Sequence, residues 1–423
     1  MKKYNYVVNL GCRLNSYESS IIHQIINTKD CKKSKIVVNT CSVTNQALRK
    51  SLSTVKKIQM ENPSSEIIVT GCASDIYTDD FKKIKGIEKI VPNKLKNYPE
   101  NYSDSKYESF IKYTQEKIFQ FPIPQKKLHK KTRALVQIQQ GCDHRCTFCI
   151  IPFGRGDSIS LPIGKILENV NKFLKWGYKE IIFTGIDISS YGNDLPGKPK
   201  LGQIFKRLIS LQPNLQRIRL SSIDPAEIDD DLIDLLLNEK KFLPHIHLSM
   251  QSGDDLILKR MKRRHTRRDL IDLCKKIKKY RPEMTIGSDL IIGFPTEKDE
   301  NFFNTLECIK ECEFSNIHIF PFSPKEGTPA SKMPQVEDNV KKHRIEVIKR
   351  VSNQITIKLM KKNLNKKIKI LFENSKLSYT DDYIKVSVTN LDKNLEKKLK
   401  GKIIYVKPYD LKHNFLMSEY TNV

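Results

Sequence analysis

Three short runs in the first hundred residues, YNYVVNL, SKIVVNT and SEIIVTG, concentrate β-branched and other apolar residues, and each predicts a strand. Between the first two, SYESSIIHQIIN places Tyr17, Ile21, Ile22, Ile25 and Ile26 at helical spacing, and the stretch from Asn45 to Met60 predicts a second helix. Strands alternating with helices predict a parallel sheet, here a small α/β domain over residues 1–105. Residues from about 97 to 130 are polar, proline-containing and finally strongly basic, the composition of an interdomain linker. A second series follows over residues 128–355, with strand candidates ALVQIQQ, EIIFTGID, RIRLSSID, HIHLSMQ, TIGSDLIIGF and NIHIFPF. Amphipathic segments separate them, such as KILENVNKFLKWG with Ile166, Val170, Phe173 and Leu174 on one face. Six such repeats predict a partial or complete (β/α) barrel. Beyond about residue 355, KIKILFEN, YIKVSVTN and KIIYVKPY predict a small β-barrel over residues 358–423. The fold class is therefore α/β, with an all-β module at the end.

The 423 residues include enough apolar side chains, 39%, for cores in all three parts. A formal net charge of +27 favours a polyanionic partner, because clustered Lys and Arg attract phosphates and release their counterions. The first residues, MKKYNYVVNLGC, do not resemble a secretory signal, and no segment is apolar enough to span a membrane. A cytoplasmic location is expected, where thiols stay reduced. Ten cysteines then read as metal ligands, catalytic groups or small core residues rather than disulfides.

Cys142, Cys146 and Cys149 stand in CxxxCxxC spacing directly after the first strand of the barrel series, in QQGCDHRCTFCIIPFGRG. Three thiolates on one short loop hold three corners of a 4Fe-4S cubane and leave its fourth iron open to a small molecule. Zinc with His144 as fourth ligand is the competing reading, although structural zinc loops pair one CxxC or CxxH with a distant second pair. Loops after the C-terminal ends of barrel strands converge on one mouth. The candidates there are Gly185 and Asp187, Ser221, and Gln251, with Gly293 further on.

A second set is hidden in the first domain. Cys12, Cys41 and Cys72, in LGCRLNSYES, VNTCSVTN and VTGCASD, each lie one to three residues past a predicted strand. Parallel strands end along one edge, so these three are expected to meet and form another three-thiolate site. Cys31 lies in a polar loop, and Cys274, Cys308 and Cys312 lie in amphipathic helical segments, as core thiols would.

With both sets in place the chain resembles, over almost its whole length, the radical S-adenosylmethionine (SAM) methylthiotransferase family. LGCRLNSYES, NTCSVTN, VTGCASD, GCDHRCTFCIIPFGRG, TGIDISSYG, HLSMQSGDD, GFPTE and FSPKEGTPA fall in the family's order. The resemblance implies a radical 4Fe-4S cluster on Cys142, Cys146 and Cys149, and an auxiliary 4Fe-4S cluster on Cys12, Cys41 and Cys72. It implies two molecules of SAM, one giving the methyl group and one the radical. Phe148 is then placed to pack on the adenine, with Gly185, Asp187, Ser221 and Gln251 toward the ribose and methionine tail. The motifs look most like the branch acting on N6-threonylcarbamoyladenosine beside the tRNA anticodon; other branches act on isopentenyladenosine in tRNA or on an aspartate of a ribosomal protein. The implied partners are tRNA, a reducing electron donor and a sulfur source, with no membrane, and a monomer is expected. The C-terminal segment resembles a TRAM domain, and Tyr379, Tyr383, Tyr405 and Phe415 among its lysines suit base stacking. A metal-containing RNA-binding protein without catalysis is the reading of another class.

Overall fold

The computed structural model describes residues 5–27, 34–103, 121–127, 132–412 and 414–421. Strands β1 (Tyr6–Asn9), β2 (Lys35–Thr40), β3 (Glu66–Gly71) and β4 (Ile87–Val91) form one parallel sheet in that order. Asn9 aligns with Asn39, and Asn39 with Thr70, so the strands end along one edge. Both faces are covered. Ile22 and Ile26 of α1 (Arg13–Ile26) pack with Val37 and Ile68, while Val55 and Ile58 of α2 (Asn45–Glu61) pack with Ile36, Val38 and Val69. The short helix α3 (Cys72–Ile76) follows β3 directly.

The sequence-based expectation of a linker from about 97 to 130 is corrected at both described ends. Tyr102 is buried in the sheet's core and its hydroxyl donates to Lys96 O at 2.7 Å. Further on, Tyr17 of α1 donates to Pro122 O at 3.2 Å, and Gln24 accepts from Gln125 N and donates to Lys126 O, both at 2.9 Å. Aromatic rings and a side-chain amide matched to chain polar groups hold these ends down where composition alone suggests free chain. Residues 104–120 and 128–131 lie outside the described residues.

Strand β5 (Ala134–Gln137) runs into β6 (Gln139–Gln140), which pairs antiparallel with β7 (Ile159–Ser160) and so closes off the loop between them. By its packing the chain divides into two compact units. One takes in Met1–Leu128, Gln137–Leu161 and Ser323–Thr328, and the other His129–Val136, Pro162–Phe322 and Pro329–Val423.

In the second unit β5, β8 (Ile181–Thr184) and β9 (Ile218–Leu220) form one sheet, and β10 (His245–Gln251), β11 (Thr285–Ile292) and β12 (Phe314–Pro321) another. Parallel bridges Ile218–Phe242 and Ile223–Leu248 join the two, giving a partial barrel whose last strand has no ladder to the first among the described residues. The helix Asp338–Lys361 runs past the expected boundary near 355, because Met360 at its end is buried in the core of the C-terminal module. That module is a closed barrel of β13 (Ile368–Leu371), β14 (Ser378–Thr380), β15 (Lys385–Thr389), β16 (Ile403–Lys412) and β17 (Phe415–Tyr420).

A buried charge cluster joins the two barrels of this unit. Glu180, just before β8, accepts from Arg133 Nε at 2.8 Å, Arg219 Nε at 2.7 Å and both Nε and Nη2 of Arg217 at 3.0 and 2.8 Å. The turn after β14 meets the same arginines. Arg217 donates to Asp381 at 2.5 Å, Arg219 donates to Thr380 O and Asp381 O, and Thr285 donates to Asp382 O. Tyr379 and Tyr383 stack on each other with centroids 4.6 Å apart, with Arg133 5.1 Å over Tyr379 and Arg219 4.9 Å over Tyr383. His245 lies 4.6 Å from Tyr383. The expectation that these two tyrosines stack on RNA is therefore corrected: their faces are used inside the fold. Tyr405 and Phe415 stand at the module's surface, each under a lysine, Lys367 and Lys385.

Candidate functional site

The three strand ends of the first sheet deliver three cysteines to one place. Cys12 caps α1, its Sγ accepting from Asn15 N at 3.5 Å; Cys41 follows β2 and Cys72 follows β3. Asn15 ties the edge together by donating to Leu10 O at 3.0 Å and Thr40 O at 2.9 Å. Gly11, at φ +116°, permits the approach, since a Cβ there would lie 2.6 and 2.8 Å from Cys41 Cβ and Sγ. Burial pushes the Cys41 thiol up to about 11, and the neighbouring Cys72 and Cys12 sulfurs push it the same way.

Cys72 Sγ accepts two hydrogen bonds, from Arg155 Nε at 3.2 Å and Asn93 Nδ2 at 3.4 Å. Two donors aimed at one sulfur suit a thiolate. Lys325 is buried, 2% exposed, and its Nζ has no hydrogen-bond partner among the described residues. It stands in the field of Cys41, on a segment fixed by Asn45, which donates to Ser323 Oγ and Pro324 O. Burial holds its ammonium down to about 8. An orphaned ammonium beside thiols calls for an anion. A cavity of about 260 Å³ opens at Cys41, lined also by Asn9, Leu10, Gly11, Ala47 and Lys50. Three thiolates, sulfur-directed donors and this cation fit an iron-sulfur cluster of net negative charge. Gly11→Ala is expected to displace Cys41 Sγ. With Cys142, Cys146 and Cys149 replaced by alanine, iron bound per chain should then fall to near zero; iron equal to that with Gly11 would refute the steric role.

The second set lies on the loop between β6 and β7, in the same compact unit. Gly141, at φ +74°, starts it where a Cβ would stand 1.9 Å from Asp157 O. Cys142 N donates to Gly156 O at 3.1 Å, Ser158 N to Asp143 at 2.8 Å, and Cys149 N to Cys146 O at 3.0 Å. Arg145 spans the loop from Cys142 O to Asp157. These straps curl the cysteines without helix or strand and leave all three half-buried, with Phe148 half-buried between Thr147 and Cys149. The three thiols, held by backbone straps and still reachable, fit a cluster with one open position.

In the barrel, Gly185 and Asp187 follow β8, Ser221 follows β9, and Gln251 ends β10 at φ +61°. Asp187 accepts from Ser190 at 2.8 Å, and Ser221 N donates to Phe183 O at 2.9 Å. All four stand at C-terminal strand ends.

Sequence reasoning missed two polar constellations. The first is Arg155 with Glu18, Asn15, Lys96 and Gln140, buried beside Cys72. Burial alone would raise Glu18, but Arg155 and then Lys96 hold it below the usual carboxylate range. The second is Asp289 in the barrel's interior, with His247 Nε2 and His318 Nδ1 each 3.1 Å away and Ser222 donating at 3.0 Å. Its signal was present, since His245, His247, Ser249 and Gln251 alternate along HIHLSMQ as one polar face of a strand.

Residues 136–309 match the family model described as Radical SAM superfamily, and residues 4–92 that described as Uncharacterized protein family UPF0004. Over 398 residues the chain is 41% identical to the threonylcarbamoyladenosine tRNA methylthiotransferase MtaB of Rickettsia prowazekii (strain Madrid E), covering 92% of this chain and 91% of that protein. It is 32% identical over 419 residues to the protein of the same name from Bacillus subtilis (strain 168), covering 93% and 92%. The radical SAM methyltransferase TsrM from Kitasatospora setae is similar in fold, with a TM-score of 0.54 at 12% identity over 75% of this chain and 69% of that one. A partial (β/α) barrel and a strapped CxxxCxxC loop define a radical SAM enzyme. The chain belongs to the MtaB-like radical SAM methylthiotransferase family. No helix among the described residues is long and apolar enough to cross a membrane.

Proposed function

We propose that this enzyme places a methylthio group on the C2 carbon of N6-threonylcarbamoyladenosine beside the tRNA anticodon, with two molecules of SAM and two 4Fe-4S clusters. The observation that carries the reading is the likeness over nine-tenths of the chain to two relatives named for that nucleoside, joined to two separate three-thiol sets. When bound, one cluster with SAM supplies a radical that takes hydrogen from an unactivated carbon, and the other carries the incoming sulfur. Cys142, Cys146 and Cys149 hold the first, and Cys12, Cys41 and Cys72 the second. Phe148 packs on the adenine of SAM, and Gly185, Asp187, Ser221 and Gln251 orient its ribose and methionine tail. Lys325 offsets the negative charge at Cys41. The chain's net charge of +27, with Tyr405 and Phe415 on the surface of the C-terminal barrel, supports RNA as the partner. The enzyme works in the cytoplasm as a monomer, fed by a reducing electron donor and a sulfur source.

Mass spectrometry of tRNA nucleosides from cells with and without the gene tests this. Loss of the methylthio form of threonylcarbamoyladenosine, with accumulation of its precursor, is the expected result. Loss of the methylthio form of isopentenyladenosine, or an unchanged nucleoside pool with a changed ribosomal protein, would overturn the substrate.

A further inference from the structure

In the GRG that follows the radical-loop cysteines, the arginine is buried and wholly occupied. Arg155 has five N–H donors, and all five are directed to acceptors. Nε donates to Cys72 Sγ at 3.2 Å, Nη1 to Glu18 Oε1 at 2.8 Å and Gln140 Oε1 at 3.0 Å, and Nη2 to Asn15 Oδ1 at 2.5 Å and Glu18 Oε2 at 3.0 Å. The flanking glycines bind both ways. Gly154 O accepts at 2.6 Å from the Asn93 amide that also faces Cys72, and Gly156 O accepts from Cys142 N at 3.1 Å. A Cβ on Gly154 would lie 2.9 Å from Ile76 Cδ1 and 3.3 Å from Cys72 O, so the loop passes close over the helix that begins at Cys72.

Arg155 and Lys96 are two buried cations; Glu18 hydrogen-bonds both, at 2.5 Å from Lys96, and Asp75, on the same short helix as Cys72, lies in the field of both. The guanidinium directs its Nε–H at the Cys72 sulfur. Hydrogen bonds to cluster sulfurs tune iron-sulfur potentials, and a cationic N–H donor favours the reduced, more negative state.

We propose that Arg155 is a positioning residue that holds the Cys72 thiolate against the loop of Cys142 and raises the reduction potential of the auxiliary cluster through its Nε–H···S bond. This rests on the reading that Cys12, Cys41 and Cys72 hold that cluster. Lysine keeps the charge but not the fork, so Arg155→Lys keeps part of the effect and Arg155→Gln loses it.

The test uses the full chain with Cys142, Cys146 and Cys149 replaced by alanine, reconstituted anaerobically with iron and sulfide, and redox-titrated by electron paramagnetic resonance. The ratio of reduced to oxidised cluster at a fixed solution potential is expected to fall about tenfold in Arg155→Gln, equivalent to 59 mV for one electron, and by less in Arg155→Lys. A cluster that loads normally in Arg155→Gln with an unchanged midpoint overturns the proposal. If that variant does not fold, pulsed resonance on the parent chain grown with 15N-arginine decides: a 15N coupling to the reduced cluster upholds the bond, and its absence overturns it. A folded parent chain that binds no iron overturns instead the assignment of a cluster to Cys12, Cys41 and Cys72, and the proposal with it.

Discussion

Cys142→Ala is expected to abolish reductive cleavage of SAM, whereas Cys72→Ala keeps that cleavage and loses the methylthiolated product. The loss of 5'-deoxyadenosine in Cys142→Ala should exceed about a hundredfold, since losing even an outer-shell partner of a metal site costs roughly 10- to 100-fold. The asymmetry follows from the two sets being built differently. Cys142 sits on a loop closed by its own straps to Gly156 and Asp157, which do not involve Cys72, while Cys72 starts a helix at the end of a sheet strand. Chromatography of 5'-deoxyadenosine and of digested tRNA from the same anaerobic reaction separates the two. Equal loss of both activities in folded Cys72→Ala would remove the division of labour.

Glu180→Gln should cost about 3–5 kcal/mol of stability, the usual penalty for removing one partner of a buried ion pair. Glu180 is fully buried and is shared by Arg133, Arg217 and Arg219, whose remaining carboxylate partners, Glu373 and Asp381, are each bound to one of them at the periphery. The same group predicts a pH dependence. Burial alone would raise its carboxyl, but Arg219, Arg133 and Arg217 hold it down to about 2. A depressed folded-state value gives stability that is present above the unfolded carboxylate range, near 4.3, and is lost as pH falls toward 2. Urea unfolding followed at neutral pH and between about pH 4.3 and 2 checks both statements. In Glu180→Gln the acid-dependent loss should shrink; an acid limb as steep as that of the native chain would show that other carboxylates govern it.

Much of the architecture is legible in the sequence, for physical reasons. β-Branched runs flanked by amphipathic segments announce parallel strands, and cysteines placed just past three of them announce a common edge, since strand ends converge whatever the separation along the chain. The α/β class and the partial barrel follow from the same alternation. Other elements carry no such signal. Strand β14 has three residues, and β4 alternates too weakly, with Ile87 and Ile90 only half-buried. Arg155 is illegible for a different reason. Its partners at 15, 18, 72 and 140 share no period, and only the folded chain reveals that one guanidinium serves them all. Tyr379 and Tyr383 mislead because an aromatic among lysines looks alike whether its face meets a base or a buried arginine.

The turn from Thr380 to Tyr383 presses against Arg217, Arg219, His245 and Thr285, all at the starting ends of the barrel strands. The C-terminal module is thus a stopper as well as a domain. With its foot corked, the partial barrel keeps its other end, where Gly185, Asp187, Ser221 and Gln251 stand, as the mouth left to reactants. Nor is the stopper detachable: a chain cut after the helix Asp338–Lys361 would strip Arg133, Arg217 and Arg219 of their partners Glu373, Asp381 and Thr380 O, and leave three guanidinium groups on the one carboxylate of Glu180.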